Sequence, residues 1–376
     1  MDALDRFRGS ILGLAIGDAL GHPTEFISNL GAIRARWPPN GVTGFEPSGR
    51  HPAGTFTDDT QMALAVARAL CRAGHRDLDT LMTVTGEEFV AWSRSPENNR
   101  APGGTCLAGC RNLARGAPWR EAGVRGSKGC GAAMRAAPVG LFHAHDLDAL
   151  VRVSAAQSAL THAHPTAVAS GVAAAAPVAY ALREGRLDGV FPFLRACLGR
   201  VTPALLIDVG CDPRLVQTIG LTEMQGALDR AESQASQEAE DVCALLGGAW
   251  VGEEAVAGAL WCVLRAGGDF SGAVLRAANS SGDSDSIACI AGSIAGALGG
   301  VDAIPPVWRG TVEKAAVLEG IARGLHEAAT RGVDVILDPA LDLFGAERFG
   351  VRLEDLGGPD DTEVDLRRDA LRGLVR

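Results

Sequence analysis

The chain has 376 residues, is 47% apolar and carries a formal net charge of −10. That length and apolar content allow one large core or two ordinary domains. The acidic balance, with Arg and Lys scattered, excludes the basic stripe of a nucleic-acid binder.

From the N-terminus, a charged start (Met1 to Arg8) runs into the apolar segment Ile11 to Ile16, and Asp18 interrupts it with no small-residue cleavage site behind. No secretory leader is expected. The stretch GLAIGDALGHPTEF places Gly13, Gly17 and Gly21 at helical spacing for close packing, then breaks at Pro23, with Glu25 following. Asp18 falls inside the apolar pattern of a helix over 5–20, so it needs a partner, either neighbouring backbone or an arginine.

Next comes FTDDTQMALAVARAL, which sets Thr57, Asp58, Asp59 and Thr60 at the head of a helix over 60–73. Such residues ordinarily cap a helix. A cap needs one oxygen acceptor, however, and four oxygen-bearing side chains crowd this turn. Helices are expected over 80–93 and 105–115, separated by the polar, glycine-containing loop NNRAPGGTC.

Residues 126–140, GSKGCGAAMRAAPVG, read as a glycine-rich turn entering a helix that Pro138 kinks or ends. Backbone N–H groups at such a turn can cradle a phosphate. It is neither a Walker A loop, since no GK[ST] closes it, nor a dinucleotide fingerprint, since no strand precedes it. After a helix over 148–158, LTHAHP places His162 and His164 ahead of a helix over 165–184. One of the pair is expected to touch a ligand or to hold a neighbouring group in place, and simple packing at a helix start is the alternative.

Residues 186–222, with several Pro and Gly, read as a looser excursion. Helices over 224–246, 253–266 and 271–278 follow. Then NSSGDSDSIACIAGSIAGAL repeats the acidic arrangement, with Asp283 and Asp285 alternating with Ser284 and Ser286 before a helix over 286–299. Two carboxylates that close repel unless a cation neutralises them. Hard ions such as Mg²⁺ want about six oxygens, so neither acidic motif suffices alone, whereas the two together could hold a pair of ions. An EF-hand is ruled out, because the expected glycine and terminal glutamate are missing from their offsets. Gly292 and Gly296 sit in an apolar stretch, Ile287 to Leu298, too short for the ~20 residues of a membrane span, and predict a tightly packed core helix. A last long helix covers 309–330.

Beyond about Gly332 the chain is charged and poor in large apolar residues. The division expected is therefore a core over 1–331 and an appendage over 332–376, partly ordered through Leu341, Phe344 and Phe349. The nine cysteines stand singly with no C-x-x-C pair, which points to buried free thiols in a reducing cytoplasm rather than to a zinc knuckle or disulfide framework. Strand signals are scarce, and the fold class is all-α: a single bundle of roughly a dozen helices without a repeat period.

The ordered set G-D-A-L-G…E-F, T-D-D-T, G-S-K-G-C-G-A-A-M-R-A-A-P-V-G, L-T-H-A-H-P and S-G-D-S-D-S-I-A-x-I-A-G resembles the ADP-ribosylglycohydrolase family over roughly residues 5–325. The resemblance implies an orthogonal all-α fold and a binuclear Mg²⁺ or Mn²⁺ centre. It implies hydrolysis of the bond between an acceptor, most often a modified protein side chain, and C1″ of ADP-ribose. Matching motifs make Thr57, Asp58, Asp59, Asp283, Asp285 and Ser286 the metal ligands and set Glu25 beside them. They give Ser127, Lys128, Gly129, Cys130 and Gly131 to the diphosphate and His162 to the ligand. Glu25, with Asp58 and Asp285, would carry the catalysis, Glu25 as acid or base at an oxocarbenium-like transition state.

Two departures stand out: serine at 284 and 286 where the family often has threonine, and Cys130 where some relatives carry asparagine. The SKGCG and GDSDS variants resemble the bacterial branch that includes immunity proteins against ADP-ribosylating toxins. Arginine is favoured over serine as acceptor. The rival readings are a non-catalytic ADP-ribose binder and a metal-dependent phosphohydrolase. No membrane or nucleic-acid partner is expected.

Overall fold

The structure, a computed structural model, describes residues 1–345. Among these it contains nineteen α-helices, three short 3-10 turns and no strand; three isolated bridges are the only β-type pairing. The count exceeds a dozen because predicted segments divide and because short helices form outside them, among them Leu30–Arg36 and Trp119–Ala122. The segment 224–246 divides into Thr222–Ser233 and Val242–Leu246 across a polar stretch, the second piece being started afresh by Asp241, whose side chain accepts from Cys243 N–H. The segment 309–330 divides into Pro306–Thr311 and Ala315–Arg331 at Lys314, which takes a left-handed φ of 52°. The glycine- and proline-containing region 186–222 also holds short helices, Val190–Leu198, Pro203–Asp208 and Pro213–Thr218.

The centre of the fold is an antiparallel pair, Ala3–Gly21 against Ser284–Gly299. Glycine makes the pairing possible. A methyl group added at Gly9 would sit 2.3 Å from the Gly296 carbonyl oxygen, at Gly13 2.3 Å from that of Gly292, and at Gly17 1.9 Å from that of Ala288. At Gly21 it would meet the Asp285 backbone at 2.4 Å. The four-residue spacing noted in the sequence is thus a contact ridge laid into the matching ridge of the partner helix, backbone against backbone. Because the pair is antiparallel, the end of the first helix, and Glu25 just beyond it, arrives at the start of the second, where Asp283 and Asp285 stand.

Helix Pro165–Glu184 is long and apolar enough to cross a membrane by length and composition, yet 94% of its apolar window is buried inside this fold. It packs on the Ala137–Phe142, Leu147–Ala159, Gly252–Arg265 and Ser284–Gly299 helices, as a core helix apolar on all sides does. All nine cysteines are unpaired, seven of them buried. Residues 332–345 of the expected appendage lie against the helical body: Leu337 and Phe344 are buried, Leu341 packs over Gly320, and Asp342 pairs with buried Arg68 at 3.3 Å. Phe349 lies outside the described residues.

Candidate active site

Both acidic motifs sit at helix N-termini, where the helix dipole favours negative charge. Capping does not account for them. Thr57 is the cap of Asp58–Ala73, so Asp58 and Asp59 are surplus to that role, and Asp283, the cap residue of Ser284–Gly299, makes no side-chain capping hydrogen bond at all. Their side chains turn toward one another instead. The Ser286 hydroxyl donates to Asp59 at 2.8 Å and the Thr57 hydroxyl to Asp285 at 3.3 Å, joining residues more than two hundred positions apart. Glu25, Asp283 and Asp285 each present a carboxylate oxygen within 4.8 Å of the other two. Asp58 accepts from the Gly103 N–H at 3.2 Å, which brings the polar loop 98–106 to the same place.

Asp18 organises this centre from behind. Fully buried, it accepts from the Thr57 N–H at 2.9 and 3.0 Å, the Thr60 N–H at 3.0 Å and the Thr60 hydroxyl at 2.5 Å. Its partners are therefore backbone and hydroxyl groups of the first acidic turn, not an arginine. Thr24 does similar work for the second motif, bonding the Ala278 carbonyl at 2.6 Å and the Ser284 hydroxyl at 2.9 Å. Neither tie is visible in the sequence, where a buried aspartate in a helix and a threonine after a proline have no stated partner.

Electrostatically the cluster is strained. Burial, reinforced by the charge of Asp285, pushes Glu25, Asp59 and Asp283 well above the carboxylate range, and burial does the same to Asp58. Asp18 is raised to about 7 for the same two reasons. One buried oxygen of Glu25, Oε2, has no hydrogen-bond partner. Unpaired buried carboxylate oxygens are costly, and a group of hard oxygen donors this close is what a divalent cation neutralises. The residues present fit such an ion: carboxylates and hydroxyls converge, and no imidazole is among them.

The glycine-rich turn borders the acidic cluster through Cys130. Ser127 is bonded to Thr105 at 2.9 Å, and the turn is pinned to the Gly252–Arg265 helix by the Gly252 N–H, which donates to the Lys128 carbonyl at 2.9 Å. Pro138 neither kinks nor ends the helix expected here. A 3-10 turn, Cys130–Ala132, comes first, and Ala137–Phe142 then begins with Pro138 in its opening turn, a position where a missing N–H costs nothing. The Lys128 ammonium is engaged by Glu253 at 2.5 Å and Glu223 at 3.1 Å, carboxylates supplied by distant segments. Cys130 reaches back to the acids: its thiol donates to Asp283 at 2.8 Å and lies 3.4 Å from the Ser286 hydroxyl.

The two histidines divide their labour. His164 caps Pro165–Glu184, its Nδ1 accepting from the Thr166 N–H at 3.2 Å. His162 lies under the glycine turn: a methyl group on Gly131 would come within 2.8 Å of its ring and one on Gly129 within 3.3 Å. At the rim, exposed Phe26 and Trp250 stack with ring centroids 6.0 Å apart. Trp250 stands two residues beyond Gly248, whose carbonyl accepts from the Asp283 N–H at 2.9 Å.

Comparison with known proteins points to one family. The ADP-ribosylglycohydrolase family model matches residues 1–334. An uncharacterized protein of Archaeoglobus fulgidus is 32% identical, covering 87% of this chain and 98% of its own. The ADP-ribosylarginine hydrolase Tri1 of Pseudomonas putida is 31% identical, covering 93% and 83%, and human ADP-ribosylhydrolase ARH3 is 28% identical, covering 86% and 93%. Among solved structures, an ADP-ribosylglycohydrolase-related protein complex superposes with a TM-score of 0.65 at 26% identity, over 87% of this chain and 99% of that one. A helical fold, two acidic helix starts brought together by a glycine ridge, and a match over nearly the whole described chain lead to one assignment: the chain belongs to the ADP-ribosylglycohydrolase family, whose members are hydrolases that remove ADP-ribose.

Proposed function

We propose that this protein is a divalent-cation-dependent ADP-ribosylglycohydrolase acting on ADP-ribosylated protein, with arginine favoured over serine as the acceptor. The observation that carries the reading is the convergence of Glu25, Asp283 and Asp285 with Asp58, Asp59, Thr57 and Ser286 in one buried cluster. The arginine preference rests on two bacterial relatives that are ADP-ribosylarginine hydrolases, 31% and 30% identical.

Thr57, Asp58, Asp59, Asp283, Asp285 and Ser286 would hold Mg²⁺ or Mn²⁺. When bound, such ions supply charge neutralisation, orientation of ribose hydroxyls and a more acidic water. The chain's own residues do the rest. The Ser127–Gly131 turn receives the diphosphate through backbone N–H groups. Glu25, free on one oxygen, has its pKa pushed up by burial first and by the surrounding aspartates second, which favours its protonated form. It can donate that proton to the leaving group as the glycosidic bond breaks, or as carboxylate accept one from water. A protein that merely occluded ADP-ribose would have no need of an unpartnered carboxylate oxygen held among four aspartates.

The test is ADP-ribose release from arginine- and serine-modified protein with Mg²⁺, with Mn²⁺ and with EDTA. Metal-dependent release from the arginine conjugate is expected, and Asp58→Ala and Asp285→Ala should each abolish it and weaken metal binding. Near-normal release by both variants would overturn the assignment. Release of inorganic phosphate in place of ADP-ribose would identify a phosphohydrolase.

A further inference from the structure

Behind His162 stands a buried chain of donors with only one direction. Arg135, fully buried, donates through Nη2 to the Thr161 hydroxyl at 2.8 Å and to the Gln157 carbonyl at 2.8 Å, and through Nε to the Gln157 side chain at 2.9 Å. Its guanidinium also lies over the Phe89 ring, 4.4 Å from the centroid. A guanidinium can only donate. The Thr161 oxygen is therefore an acceptor toward Arg135, and the hydroxyl has a single proton left to place. The imidazole Nδ1 of His162 lies 2.8 Å away. The other acceptor within reach is the Cys106 sulfur, which Arg135 already approaches at 3.8 Å and which is a weak acceptor. The hydroxyl proton goes to Nδ1, so Nδ1 is a lone-pair acceptor and the ring proton sits on Nε2.

That Nε2 makes no hydrogen bond among the described residues, although His162 is only 2% exposed. It is aimed at the glycine turn, on the side where side chains at Gly129 and Gly131 would collide with the ring. The imidazole is also held neutral: burial first, and the Arg135 charge second, press its pKa down to about 3. No carboxylate among the described residues lies within ion-pair distance of the ring to reverse this. Lys128, the cation within the glycine-rich turn, is engaged by Glu223 and Glu253.

We propose that Arg135 and Thr161 are positioning residues that lock His162 as the neutral Nε2–H tautomer, making it a fixed hydrogen-bond donor to a phosphoryl oxygen seated on the Ser127–Gly131 turn. The phosphoryl ligand rests on the proposed function; the tautomer rests on the hydrogen-bond chain alone. The device suits a site beside a dense group of carboxylates. A neutral donor recognises the anion without adding a titrating cation, and its direction is set before the ligand arrives.

The experiment is ¹⁵N NMR of histidine-labelled protein, with His162 assigned by His162→Gln, beside calorimetric titration of ADP-ribose. The wild type is expected to show a protonated Nε2 and a bare Nδ1 from about pH 5 to about pH 8. Thr161→Val should mix the tautomers, weaken ADP-ribose about tenfold and raise KM with kcat retained, and Thr161→Ser should restore all three. A ring proton on Nδ1 in the wild type, or Thr161→Val with the wild-type tautomer and affinity, would overturn the proposal while leaving ADP-ribose hydrolysis intact. The expected tautomer in a protein that neither binds nor hydrolyses ADP-ribose conjugates would instead refute the phosphoryl assignment and the proposed function, leaving only the tautomer lock.

Discussion

Gly17→Ala is the sharpest trial of the helix pairing that builds the site. The new methyl group would lie 1.9 Å from the Ala288 carbonyl oxygen and 2.5 Å from its carbon, where ordinary contact begins near 3.4 Å. The obstacle is backbone on both sides, so no rotamer change relieves it. The two helices must separate by about 1.5 Å, taking Asp285, three residues from Ala288, away from Thr57. Overpacking of this kind costs about 1–3 kcal/mol, which for a chain of this length is roughly 1–4 °C in Tm. In helices with room, the same replacement gains about 0.5–1 kcal/mol, and Gly226 in Thr222–Ser233 is such a position, its nearest new neighbour being the Arg230 guanidinium at 3.7 Å. Thermal unfolding of the two variants should therefore move in opposite directions, and Gly17→Ala should also lose affinity for Mn²⁺ by calorimetry. A Gly17→Ala protein that melts and binds metal like the wild type would refute the claim that backbone contact sets the spacing of the acidic motifs.

Three further outcomes follow from the site. Carboxyls raised in the folded state hold protons that the unfolded chain has released, so stability falls as pH rises toward and through their folded values. Between about pH 6.5 and pH 8, above the range where His143 and His162 oppose this, metal-free protein should lose about 1.4 kcal/mol per pH unit for each carboxyl still protonated, Asp18 leaving that set near 7. Millimolar Mg²⁺ should flatten the profile in a melting series, and a flat metal-free profile would contradict the cluster's electrostatics. Glu25→Gln keeps the side-chain shape at an oxygen that has no partner, so it should fold normally and lower kcat by about 10²–10⁴; unchanged turnover would remove Glu25 from the chemistry. Asp18→Asn replaces an acceptor of four hydrogen bonds by a group that must also donate, and should weaken metal binding and lower stability by about 1–3 kcal/mol, read by calorimetry and melting.

What the sequence made legible was local. Helical spacing, the glycine ridge at 13, 17 and 21, and two clusters of acids at helix starts are each written within a dozen residues, and short-range rules reach that far. Features that depend on partners brought from afar were not legible. Lys128 meets Glu223 and Glu253 across about a hundred positions, Asp18 meets the 57–60 turn, and Arg135 meets Thr161. Pro138 opens a helix where the run of residues suggested an end, because a 3-10 turn intervenes. Of the two histidines, spacing alone could not say which faces the turn and which caps the helix; Pro165 directly after His164, the usual first residue of a helix, was the available signal.

The glycine-faced pairing of Ala3–Gly21 with Ser284–Gly299 also sets a timetable for biosynthesis. The first helix leaves the ribosome with one face shaped to fit a segment about 280 residues away, roughly 15–60 s of elongation later. Until then that face lacks its partner helix and the acids of 57–60 lack Asp283 and Asp285, so the proposed metal site cannot form before the helical body is complete. Large sequence separation between first and last contacts slows closure. A nascent chain of this protein therefore keeps that N-terminal face uncovered until Ser284–Gly299 has been made, and a chaperone that holds the face over that interval should raise the yield of active enzyme more than one that acts on the finished chain.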